Sequence, residues 1–151
     1  GMSMGGLLAL QLAAYERVHK VVSLATPIDI RDRRIPFLHI YKLFKSGVVK
    51  RLHDYGLVNH VRYAEMPING VIQLLRLIKE VRLLLPKIQS PTLVMQSKIE
   101  HTLKPSSATY IYENLGSAEK QLVWLEHSGH MLVLGAERQT VFEKTADFLA
   151  Q

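Results

Sequence analysis

GMSMGGLLALQLAAYERVHKVVSLATP, residues 1–27, reads as a turn, a helix and a strand in immediate succession. Residues 1–6 are small apart from Met2 and Met4, and Gly1 and Gly5, two before and two after Ser3, allow the tight backbone that side chains would obstruct. Residues 7–15 are rich in Ala and Leu and apolar on nearly all sides, the composition of a buried helix. Residues 18–25 (VHKVVSLA) are short and β-branched and stop at Thr26-Pro27, which predicts a buried strand.

The same alternation returns farther along the chain. Ser90-Pro91 introduces TLVMQ at 92–96, a second strand; Pro105 opens a helix running to about residue 115. KQLVWLE at 120–126 predicts a third strand, and 136–150 an amphipathic terminal helix with Val141, Phe142, Ala146, Phe148 and Leu149 on its apolar side. Between Ile28 and Pro86 the character differs. Charged and aromatic residues alternate with Leu and Ile at helical spacing, broken by Gly47, Gly56, Pro67 and Gly70, which predicts several helices forming an inserted layer. The fold class is therefore α/β: a mostly parallel sheet with flanking helices, its core in residues 1–27 and 87–151, and a helical insertion over 28–86.

Composition narrows the function classes. The chain has 151 residues, 48% of them hydrophobic, which suits one domain with a real core and excludes disorder. No apolar run reaches the roughly 18 residues that span a bilayer. The longest, residues 71–85, is interrupted by Gln73, Arg76, Lys79, Glu80 and Arg82, so no stable membrane anchoring is expected. No secretory signal is visible at the start, and the absence of Cys fits a cytoplasmic protein without disulfides or thiolate metal sites. The net charge of +6 is spread along the chain without a nucleic-acid-binding signature. A solvated or subunit-contacting basic face is expected, not a nucleic-acid partner.

Gly1-x-Ser3-x-Gly5 matches the pattern of a serine held on a strand-to-helix turn, where the strained backbone projects Oγ above a sheet. The amide of the next residue, Met4, then points from a helix N-terminus at any oxyanion forming nearby. Taken alone the pattern has two readings, a nucleophile or an ordinary N-cap. Gly1 also has two, a native glycine or an expression scar before Met2. A base is expected after the last strand, where His127-Ser128-Gly129-His130 offers two imidazoles. His130 is favoured because it lies farther from the strand end. His-Ser-Gly-His lacks the H-E-x-x-H spacing, so no metal is expected. An acid is expected between the second strand and the helix opened by Pro105, where Glu100 is the one carboxylate; the alternative is a surface Glu. His101 beside it cannot serve as an anion. Ser, then Glu, then His, each at a strand-to-helix junction, is the order that a serine hydrolase of this layout requires.

GMSMGG at 1–6, PTLVMQ at 91–96, PSSATYIY at 105–112 and HSGH at 127–130 resemble the α/β-hydrolase superfamily. More narrowly they are similar to the bacterial carboxylesterase and monoacylglycerol lipase group. The resemblance implies hydrolysis of carboxylic esters through an acyl-enzyme, without cofactor or metal, by Ser3 as nucleophile, Glu100 as acid, His130 as base and Met4 as oxyanion donor. It implies that residues 28–86 form a cap. The family usually has Asp where this chain has Glu100, and its members carry further strands before the nucleophile turn. From that difference three expectations follow: a turn that the chain cannot build by itself, an exposed apolar face on the first helix, and self-association, as a dimer with or without exchanged elements, that covers it. An alternative is a truncated, inactive remnant that folds by self-association. A third possibility is an acyltransferase or C–C hydrolase using the same three residues.

Overall fold

Leu7, Leu10 and Ala13 recur at helical spacing after the first turn, and all three are buried. They belong to helix α1 (Met4–Tyr15), which leads to strand β1 (Val21–Leu24). There follow β2 (Gly47–Val49), β3 (Glu65–Pro67), helix α2 (Ile68–Leu84), β4 (Thr92–Ser97), α3 (Ser106–Asn114), β5 (Lys120–Leu125) and α4 (Arg138–Ala150). This is a computed structural model, and it describes residues 1–32, 35–37, 40, 46–49 and 65–151. Among the described residues no helix is long and apolar enough to cross a membrane.

β1, β4 and β5 form a parallel sheet in the order β1-β4-β5, with Val21 opposite Thr92 and Thr92 opposite Lys120. β4 lies in the middle and every one of its six residues is buried, which is why TLVMQS reads as an unbroken run and not as an alternation. The two faces take different helices. Val21 and Val94 pack with Leu7 and Leu10 of α1, Ile78 and Val81 of α2, and Ala108 and Ile111 of α3. Leu24, Leu93, Met95 and Leu125 pack with Val141 and Phe148 of α4. Leu7, Leu10, Leu93, Met95 and Ile111 are fully enclosed. Each such side chain contributes about 1.5–3 kcal/mol relative to exposure.

Three sequence expectations change. β1 begins at Val21, not at residue 18: the Val18 carbonyl already accepts from the Ser90 hydroxyl, and Lys20 donates across to the Phe148 carbonyl. The 28–86 segment is not purely helical, since β2 and β3 pair antiparallel and α2 follows directly from β3. Residues 33–34, 38–39, 41–45 and 50–64 of that segment, with the expected helices there, the break at Gly56 and the bases Arg33, Arg34, Lys42, Lys45, Lys50 and Arg51, lie outside the described residues. Finally, α1 is not buried all round: Met4, Leu8, Leu12 and Tyr15 recur along its outer side, each about half exposed or more. Along α2, Ile78 and Leu84 are buried and Leu74, Leu75 and Leu77 pack against the cluster that holds Ile78, while Leu83 faces solvent.

Candidate active site

Ser3 sits at φ 53°, ψ −124°, a backbone region that side chains avoid. The turn is held by β1. Gly1 N–H donates to the Val22 carbonyl at 2.7 Å, Leu24 N–H donates to the Gly1 carbonyl at 2.9 Å, and Ser3 N–H donates to the Leu24 carbonyl at 2.8 Å. Met2 thus forms a parallel bridge with Leu24, which docks the turn on the end of β1.

Of the motif's two glycines, only Gly1 is needed for lack of space. A Cβ at Gly1 would overlap the Gly5 carbonyl, and one at Gly6 would overlap the Thr26 hydroxyl, whereas one at Gly5 would meet nothing within 4 Å. Gly6 is therefore the position where α1 approaches the end of β1. Beside it Ala25 holds φ 44° and donates its N–H to the Met95 carbonyl. Thr26 in turn shares a 2.7 Å hydrogen bond with Ser23. Sequence reasoning missed Gly6, Ala25 and Thr26; the Gly5-Gly6 doublet was the available signal.

The Ser3 hydroxyl does not cap α1. It lies 2.9 Å from His130 Nε2, 127 positions away along the chain. The His130 Nδ1 is 2.6 Å from Glu100 Oε2. Because a carboxylate only accepts, Nδ1 carries the proton and Nε2 is left to accept from Ser3. Glu100 follows β4, is buried, and takes the Thr102 N–H on its other oxygen at 2.6 Å. Burial alone pushes the Glu100 carboxyl up, but the His130 ring and the Thr102 and Leu103 amides outweigh it and hold the group below its ordinary range. His130 follows β5, with 12% of its side chain exposed. His127 and His101 are exposed on the same two loops.

All three residues therefore meet at the C-terminal ends of the parallel strands, where open α/β sheets place their ligands. Loops, not the sheet, hold them there. Lys98 N–H donates to the Leu125 carbonyl, tying the acid loop to β5. Lys104 N–H donates to the Asp29 carbonyl and Arg31 N–H to the Thr102 carbonyl, tying it also to the segment leaving β1. That segment, with Ile28, Ile30, Ile35, Leu75 and Ile78, lines a recess of about 290 Å³. Met4 opens α1, so its N–H has no intrahelical acceptor and carries the positive end of the helix dipole. Chemically, the arrangement offers a hydroxyl, an acceptor for its proton, an anion to balance the resulting imidazolium, and a backbone donor beside the hydroxyl.

The family described as serine aminopeptidase, S33 matches residues 1–137. The carboxylesterase of Bacillus subtilis (strain 168) is 28% identical over 155 residues, covering 99% of this chain and 61% of that protein. The thermostable monoacylglycerol lipase of Bacillus sp. (strain H-257) is 27% identical over 158 residues, covering 100% of this chain and 61% of that one. A solved structure from metagenome-derived lipolytic enzymes superposes with a TM-score of 0.91 at 25% identity, over 99% of this chain and 63% of the other. The chain thus spans about three fifths of the length of the relatives it matches. With this turn, this sheet and these matches, the chain belongs to the serine aminopeptidase S33 family of α/β-hydrolases, within its carboxylesterase and monoacylglycerol lipase group.

Proposed function

We propose that this chain carries the catalytic residues of a serine hydrolase of carboxylic esters, of carboxylesterase or monoacylglycerol lipase type. One observation supports this above the others: Ser3 Oγ is bonded to His130 Nε2, and His130 Nδ1 to the buried Glu100. In the proposed reaction Ser3 Oγ attacks the ester carbonyl carbon while its proton passes to His130 Nε2. The oxyanion takes a hydrogen bond from Met4 N–H, an interaction worth roughly 3 kcal/mol in the transition state. The C–O bond to the alcohol breaks as His130 returns the proton to the leaving oxygen. Water, deprotonated by His130, then attacks the acyl-Ser3 ester; the C–O bond to Ser3 breaks as His130 returns the proton to Ser3 Oγ, and the acid is released. Glu100 stays ionised throughout and stabilises the imidazolium. In this reading residues 28–86 correspond to the cap, and the recess that Leu75 and Ile78 line takes the acyl chain. The test is turnover of p-nitrophenyl butyrate by the full chain and by Ser3→Ala. Hydrolysis lost with the hydroxyl is expected; equal slow rates for both proteins would sink the proposal.

The outer side of α1 favours a second reading, concerned with assembly. Met4, Leu8, Leu12 and Tyr15 are 49–62% exposed on neighbouring turns of one helix, an apolar strip that a monomer seldom leaves bare. Self-association across this strip would cover it. It would operate whether or not the chain hydrolyses esters.

A further inference from the structure

The Ser3–His130 bond depends on a loop that has no regular ladder of its own. Residues 126–137 leave β5, place His130 and return to α4, with a short turn at Leu132–Leu134 on the way. Both ends of this loop meet on one side chain. Glu137 Oε1 accepts from the Glu126 N–H at 3.1 Å, and Oε2 accepts from the His127 N–H at 2.8 Å and from the Ser128 hydroxyl at 2.9 Å. Glu137 N–H donates back to the Ser128 Oγ at 3.2 Å, closing a ring between carboxylate, hydroxyl and amide. Ser128 is fully buried, and its carbonyl accepts from the hydroxyl of Ser97, which is also fully buried. Ser97 Oγ in turn accepts from the Ile99 N–H at 3.2 Å, at the start of the loop that carries Glu100. One chain of hydrogen bonds therefore runs from Glu137 through Ser128 and Ser97, joining the base loop to the acid loop behind the site.

We propose that Glu137 is the positioning residue for His130: it pins residues 126–128 so that the imidazole two residues on meets both Ser3 and Glu100. The inference rests on the reading of His130 as the base. Glu137 touches none of the three reacting groups, so its effect falls on their alignment and not on substrate binding. Burial pushes the Glu137 carboxyl up, but the His127 and Glu126 amides and the Ser128 hydroxyl outweigh it and hold the group below its ordinary range. Without that anion, two backbone donors lose their acceptor and the loop gains freedom at the residue where freedom is most harmful. A misplacement of about 1 Å at such a site costs on the order of 100-fold in rate.

The test compares the full chain with Glu137→Ala and Glu137→Gln, by p-nitrophenyl butyrate kinetics and by the downfield proton NMR signal of the His130 Nδ1–H bonded to Glu100. Glu137→Ala is expected to lower kcat about 10- to 100-fold with KM unchanged, and to broaden the downfield signal away. Glu137→Gln keeps an oxygen for His127 and Ser128 and is expected to recover part of both. Ser3→Ala is the control: it abolishes turnover but keeps the signal. Wild-type kcat and an intact signal in Glu137→Ala would overturn the proposal, as would a lowered melting temperature with kcat unchanged. If the wild type itself hydrolyses nothing, the hydrolase reading fails, and the NMR signal alone decides on the clamp. If Glu137→Ala does not fold, Glu137→Asp carries the test. It withdraws the charge by one methylene, and an undiminished kcat and signal there overturn the proposal.

Discussion

Replacing Ser3 by Gly and, separately, by Ala gives a stability difference whose sign is set by the backbone alone. Both substitutions remove the hydroxyl and its bond to His130, so that loss cancels between them. What remains is the Cβ at φ 53°, ψ −124°. Holding a side chain there costs about 1–3 kcal/mol. Glycine avoids that cost, but its unfolded chain is freer, which returns about 0.4–1 kcal/mol. The net expectation is that Ser3→Gly is more stable than Ser3→Ala by about 1 kcal/mol, or about 2–4 °C in melting temperature for a domain of this size. In an ordinary helix or strand the order is the reverse, with Gly worse by about 0.5–1 kcal/mol. Thermal and urea unfolding of the two variants, at one protein concentration, measures the difference. If Ser3→Gly melts below Ser3→Ala, the strained turn is absent and the case for an exposed nucleophile loses its backbone.

Three further outcomes follow from the same coordinates. Glu100 is held below its ordinary value of 4.5, so its folded pKa lies under its unfolded one; its bond to His130 stabilises fully above that value and is lost as pH falls through the folded pKa. Urea midpoints of wild type and Glu100→Gln should therefore differ most at neutral pH and converge in acid, and a gap that widens in acid refutes the pairing. Gly6→Ala drives a methyl into the Thr26 hydroxyl in a buried position and should destabilise by about 1–3 kcal/mol, while Gly5→Ala, facing open space, should be far milder; calorimetry on both tests the order. Leu8→Glu with Leu12→Glu puts two carboxylates on the exposed strip of α1. Sedimentation should show the double variant at lower mass than wild type if the strip is a contact between copies, and identical masses would remove that reading.

The sheet was legible because its chemistry is local. β4 and β5 are short β-branched or apolar runs bounded by Pro, Ser and Glu, and their helices start or stop at Pro105 and near Ala136. The β2–β3 pair was not legible. Each strand is three residues long, too short to display a period of two, and β3 ends in Pro67. Ser3, Glu100 and His130 could be named because each follows or starts a recognisable element in the required order. The residues that hold them in place left no such trace. Ser97 is one more residue of a buried strand, and Glu137 one more acid before a helix. Their importance arises from the Ser128 carbonyl on another loop for Ser97, and from the Glu126 and His127 amides at the opposite end of its own loop for Glu137, which only the folded chain brings near. Gly6 was hidden for a related reason: the motif draws attention to Gly5, but the close neighbour of Gly6, Thr26, lies just past the far end of β1.

The most direct measurement is the site of covalent labelling. A fluorophosphonate ester, which traps an activated serine by displacement at phosphorus, is incubated with the chain, and the adduct is located by peptide mass spectrometry. The account predicts one adduct, on the peptide bearing Ser3, abolished in Ser3→Ala and slowed in His130→Ala. An adduct on any other serine, or an unlabelled Ser3 in a protein whose fold is intact, contradicts it.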